Sequence, residues 1–111
     1  MKKLAFILLF LVSALAAQTT HSVSLNWGAS STPSVTYNVY RSTTSGSGYS
    51  QINVSPVTGL TFTDSQVSNG ATYFYVVRSF DGTSESANSN EAKAVIPQAP
   101  QPPGTLTVTV K

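Results

Sequence analysis

The 111-residue chain contains no cysteine, which excludes a disulfide-stapled miniprotein, a cysteine-ligated zinc site and a thiol enzyme. Charge is nearly as scarce, at 9% of residues, with four acids and one histidine. Catalysis gathers titratable groups around one reacting atom, and only His21, Asp64, Asp81, Glu85 and Glu91 are on hand to gather. The formal charge of +2 is misleading as well. Two of the six basic residues, Lys2 and Lys3, lie in a leader-like opening, which leaves four bases against four acids. A neutral chain has no basic footprint for nucleic acid or for an anionic membrane. The length suits one domain and is too short for two ordinary cores.

What is present begins with that leader. Met1-Lys2-Lys3 is a positive start, Leu4 to Val12 is an unbroken apolar run, and Ser13-Ala14-Leu15-Ala16 supplies small residues for a signal peptidase. A membrane span needs about 20 apolar residues, and this run breaks at Gln18. Residues 1–16 are expected to be cleaved, giving a secreted or periplasmic product with no membrane span.

From Ser22 onward the hydrophobic period is two, the period of half-buried strands. Val23, Leu25 and Trp27 alternate with Ser22, Ser24 and Asn26. Tyr37, Val39 and Arg41 alternate with Asn38 and Tyr40, and short strands are expected at Tyr49 to Val54 and Leu60 to Thr63. Thr72 to Phe80 is the strongest strand, Asp81-Gly82 signals a tight turn, and Glu91 to Ile96 closes the series. Short strands at this spacing, with no helical segment after the leader, predict an all-β sandwich or small barrel.

Three segments in order, Val23-Ser24-Leu25-Asn26-Trp27, Tyr37-Asn38-Val39-Tyr40-Arg41 and Val67-Ser68-Asn69-Gly70-Ala71-Thr72-Tyr73, resemble a bacterial fibronectin type III domain. The resemblance covers about Ser22 to Pro97 and implies an immunoglobulin-like β-sandwich of about seven strands in two antiparallel sheets. It departs from the family's Leu-x-Pro-Gly-x-x-Tyr pattern at Val67 and Asn69 but keeps Gly70 and Tyr73. By the resemblance Trp27 packs between the sheets, with Tyr37, Val39, Tyr73 and Tyr75 as core. Tyr73 becomes a corner tyrosine whose hydroxyl bonds to backbone a few residues upstream. Local signals alone make Asn69-Gly70 a hairpin; the resemblance has the chain cross between sheets there. Trp27 also carries an indole N–H that needs one acceptor.

Little chemistry attaches to the remaining residues, and no cofactor or metal is expected. His21 has no second histidine for a metal pair, and Asp64 is placed to cap a turn. Asp81, Glu85 and Asn88-Ser89-Asn90 offer oxygens but match no calcium-loop spacing. Asn53-Val54-Ser55 fits the N-glycosylation pattern. The Phe80-Asp81-Gly82-Thr83 loop lies where some family members carry Arg-Gly-Asp, but the order here is wrong.

Strict alternation turns Tyr40, Phe74, Val76 and Arg78 outward on adjacent strands, as a stabilising cross-strand stripe or as a contact surface for a protein or polysaccharide. Residues 17–97 form the expected domain, 98–104 a proline-rich linker, and 105–111 a strand-like tail with Leu106, Val108 and Val110 on one face. Only Ala17 to Ser22 precede the first strand after cleavage, so the family's opening strand is largely missing. The tail is expected to fill that vacancy or to pair with a neighbouring molecule. Functionally, the composition favours a non-catalytic secreted module that contacts a protein or polysaccharide. The alternative is a structural spacer or small envelope subunit assembled by strand addition, and an enzyme is the remote third reading.

Overall fold

The computed structural model describes residues 20–111. The leader and its cleavage site lie outside the described residues. Six strands follow in order: β1 Val23–Asn26, β2 Thr36–Ser42, β3 Ser50–Gln51, β4 Thr61–Asp64, β5 Thr72–Phe80 and β6 Ala92–Val95. They form two antiparallel sheets, β1-β4 and β3-β2-β5-β6. Chain order therefore changes sheet between β1 and β2, between β3 and β4, and again between β4 and β5. The last change is the crossing at Asn69-Gly70, where Gly70 has φ 78°. A side chain at Gly70 would meet only the movable tip of Gln98, so it is the positive φ that makes the position need glycine. Six strands are formed among the described residues, against the about seven that the resemblance implies, and none of them precedes β1.

The alternation works as a two-layer core. Val39, Tyr73, Tyr75 and Ile96 are buried together, and Val23, Leu25, Trp27, Phe62 and Val77 pack against them from both sheets. Tyr37 is also buried, its ring tilted against Trp27 at 5.6 Å between centroids. Trp27 itself is half-buried.

Side chains take over where ladders stop, and β3, expected over Tyr49 to Val54, is only Ser50–Gln51. The Val39 amide donates to Asn53 Oδ1 at 2.8 Å instead of to a backbone carbonyl. On the other edge of β5, the amides of Val77 and Ser79 donate to the hydroxyls of Ser89 and Ser86, each at 2.9 Å. The backbone N–H groups of the same serines return bonds to the carbonyls of Val77 and Ser79. A serine-rich connection thus satisfies the upper half of β5 without being a strand.

The tail expectation is corrected for the single chain. Residues 105–111 form no strand, and Leu106, Val108 and Val110 are 89%, 81% and 88% exposed. A lone strand has no ladder to join, and Pro97, Pro100, Pro102 and Pro103 in the segment before it lack the amide donors a ladder needs.

Candidate functional site

The outer face of the four-stranded sheet carries the richest polar chemistry. The β2–β5 register sets Asn38 beside Arg78, Tyr40 beside Val76 and Ser42 beside Phe74. After β5 the chain turns at Asp81, whose Oδ1 accepts the amides of Thr83 and Ser84, each at 2.9 Å. Gly82, at φ 99°, completes the turn, and a bridge from Phe80 to Glu85 follows it. Glu85 is thereby held over the sheet, where Oε2 accepts from Asn38 Nδ2 at 2.7 Å and from the Tyr40 hydroxyl at 2.5 Å. Its Oε1 pairs with Arg78 Nη1 at 2.9 Å. The Arg78 guanidinium lies 4.1 Å from the Tyr40 ring centroid, close enough for a cation–π contact. Donation from Tyr40, Asn38 and Arg78 holds the Glu85 carboxyl below the usual carboxylate range. Burial and the Glu85 charge push the Tyr40 hydroxyl up.

A second acid closes the lower half of this face. Glu91 accepts from Ser45 Oγ at 2.6 Å, from the Gly46 amide at 2.8 Å, and from the Tyr49 hydroxyl. Those partners belong to the β2–β3 turn, on the far side of β5 from β6, so the contact passes over β5 near Phe74 and Val76. That explains a correction: Val76, expected at the surface, is 3% exposed. Tyr40, Phe74 and Arg78 are half-buried. The outward stripe is therefore largely covered by its own acids and tyrosines.

Asp64 occupies the seam between the sheets. At the end of β4, its Oδ1 accepts the Gln66 amide at 3.0 Å, a turn cap. Its Oδ2 pairs with Arg41 of β2 at 2.8 Å and accepts the Tyr75 hydroxyl of β5 at 2.7 Å. Burial works to raise the Asp64 carboxyl, but Tyr75, Arg41 and the Gln66 amide outweigh it and keep it below the carboxylate range. Burial and Asp64 push the Tyr75 hydroxyl well up. Nearby, Tyr73 accepts the Ser68 amide at 3.0 Å, tying β5 to the segment before it, and Arg41 lies 5.0 Å over the Tyr73 ring.

At the opposite pole a cleft of about 270 Å³ is lined by Trp27, Tyr37 and several serines. The Tyr37 hydroxyl accepts the Ser30 amide at 2.8 Å. Trp27 Nε1 is buried and meets no acceptor among the described residues, contrary to the expectation that it has one.

The sequence-derived candidates for chemistry do not converge. Among the described residues no three of His, Cys, Asp and Glu come together as a metal cage. Asp81 caps its own turn, Asn88 accepts from Arg78 at 2.7 Å, and Ser89 caps β5. Asn53 is buried, its Nδ2 given to Asn38 Oδ1 at 3.1 Å and to the Ser55 carbonyl at 3.0 Å. The glycosylation pattern is thus inaccessible in the folded chain. The residues that sequence reasoning passed over are Glu85 as a hub, the Asn38–Asn53 pair, and Asp64 as an ion-pair partner. Only the last had a signal: alternation turned Arg41 inward, and an inward charge needs a counter-charge.

Two antiparallel sheets with three crossings between them define an all-β, immunoglobulin-like sandwich. No family model matches the chain. It is 35% identical to a crystal structure of an Fn3-like protein from Clostridium thermocellum, over 72% of this chain and 81% of that one, with a TM-score of 0.59. The fibronectin type III domain of human fibronectin type III domain containing protein 3 shares the fold at 18% identity and a TM-score of 0.60, covering 78% and 82% of the two chains. The chain belongs to the fibronectin type III-like family. It is also 45% identical over 73 residues to an amylopullulanase of Thermoanaerobacter thermohydrosulfuricus, and 41% identical over 69 residues to one of Thermoanaerobacterium saccharolyticum. The matches cover 65% and 62% of this chain but only 5% of each enzyme.

Proposed function

We propose that the chain is a non-catalytic fibronectin type III-like module that contacts a polysaccharide or protein outside the cytoplasm, with α-glucans of the kind the name amylopullulanase denotes as the first polysaccharide to test. The observation that carries this reading is the 45% identity to a segment amounting to 5% of such an enzyme. A match confined to so small a share of the enzyme supports an accessory role for the module. The acids agree with it. Asp64, Asp81, Glu85 and Glu91 are all held below their usual pKa by hydrogen-bond donors, whereas glycosidic cleavage needs one carboxyl kept protonated. The extracellular part of the reading rests on the leader-like residues 1–16.

The outer face offers a matching surface. A cleft of about 400 Å³ is lined by Asn38, Tyr40, Gln51, Asn53 and Glu85, with Pro56 and Val54 beside them. Val54 is 100% exposed. Amides, a carboxylate and an apolar rim suit a sugar ring with polar edges and C–H faces. Affinity electrophoresis in gels containing pullulan or amylopectin tests the idea. Retardation by one glucan, lost in Tyr40→Ser with Gln51→Ala, supports it. Free migration in both gels, with no saturable partner in a pull-down, leaves the structural spacer, which the self-contained Tyr40–Glu85–Arg78 network favours.

A further inference from the structure

The two-stranded sheet has an open edge. β1 pairs with β4 on one side and with no strand among the described residues on the other. Beside it, between β1 and the segment entering β6, a cleft of about 160 Å³ opens toward the core, lined by Leu25, Trp27, Tyr75, Val77, Ser89 and Ala92 among others. Among the described residues, the sandwich lacks a strand of inward side chains at this gap. The chain carries a segment of that description. Leu106, Val108 and Val110 alternate with threonines and are almost fully exposed. They match Val23 and Leu25 of β1 and Trp27 just after it in number and in spacing, about 13 Å from first to third at roughly 3.3 Å per residue.

We infer that residues 105–111 of one copy complete the sandwich of a second copy of this chain, pairing antiparallel to the open edge of its β1. The chain's course favours a neighbour over its own domain. It leaves beside Gly70, whose amide donates to the carbonyls of Ile96 and Pro97 at 3.0 and 3.2 Å. Val23, the start of β1, is the partner of Asp64, the end of β4, so the exit lies at the pole where β1 begins. A strand antiparallel to β1 must enter at the other pole, by Trp27. The chain's own tail would have to double back along the sandwich first. The linker from Pro97 to Gly104 has proline at half of its eight positions, a composition that stays extended over about 25 Å at roughly 3.1 Å per residue. Extended from the exit pole, it can carry the tail to the Trp27 pole of a next copy, where a strand antiparallel to β1 enters. Such head-to-tail pairing is heterologous, giving an open chain of copies or, where the rotation closes, a ring. This inference does not depend on the glucan reading.

The test exploits the absence of cysteine. With Val108 set opposite Leu25, Thr107 faces Asn26 on the outer side. Chains bearing Asn26→Cys and chains bearing Thr107→Cys are mixed and oxidised, and the purified protein is weighed by light scattering across concentrations. The expected results are a disulfide between the two chains in the mixture, a mass that rises to multiples of the monomer, and return to one chain in Val108→Asp. Residue 108 is exposed in the single chain, so that variant spares the fold. A monomer at every concentration, or an internal disulfide in the chain carrying both cysteines, would overturn the inference.

Discussion

Trp27 and Tyr73 are both large aromatics at the edge of one core, yet their removal should cost different amounts. Trp27→Ala empties a half-buried site against Tyr37, and a cost of about 3 kcal/mol is expected, the low end for a truncated tryptophan. Tyr73→Phe keeps the ring and loses only the acceptor for the Ser68 amide, which costs about 1 kcal/mol. Urea melts measure both, and equal midpoints for the two variants would contradict this picture. Single residues also show how much the sequence discloses. Alternation is enough to turn Val39 inward and Tyr40 outward, because it depends only on strand geometry. It does not bury Val76, since Glu91, fifteen residues on, bonds to the β2–β3 turn across β5, a tertiary contact that alternation cannot show. Nor does it reveal that Asn53 replaces a ladder carbonyl, because that substitution follows from where β3 happens to end.

At the scale of elements, β5 was the easiest to read and its boundary partner the hardest. Five consecutive residues from Tyr73 to Val77 are aromatic or β-branched, a composition that reads as strand in any register. The Ser86–Asn90 connection carries no such signal, yet it serves the upper half of β5 through hydroxyls. The consequence is local. Ser89→Ala should quicken amide exchange at Val77, and Ser86→Ala should do so at Ser79, each with a loss of about 0.5 kcal/mol because water reaches these bonds. Exchange measured residue by residue decides it, and a uniform change along β5 would mean that the serines do not act separately. Crossings between sheets were legible only through the resemblance. Asn69-Gly70 by itself has the chemistry of a hairpin turn, and only Tyr73 argued against one.

The molecule as a whole has its few charges arranged to define a pH window. All four acids have depressed folded values, so their contribution is present above the unfolded carboxylate value of about 4 and is lost as pH falls through the folded values. The Tyr40, Tyr49 and Tyr75 hydroxyls are raised, so theirs is present below about 10 and lost as pH rises beyond it. Thermal melts should show a plateau from roughly pH 5 to 9 that falls on both sides. Asp64→Asn should lower the plateau by about 2 kcal/mol and flatten its acid limb, since that carboxylate is the most buried of the four. An acid limb unchanged in Asp64→Asn would assign the pH dependence to the surface acids.

The exit at Ile96 also determines how the module bears tension. A pull on the chain beyond Pro97 runs along the axis of β6 and loads its bonds to β5 together, in shear, rather than peeling them one at a time. Ile96 adds a buried side chain and two backbone bonds, its amide to Ala71 and its carbonyl from Gly70, at the point where the load enters. Under traction the chain is anchored at its rim, and extension has to break that anchor before β6 can slide.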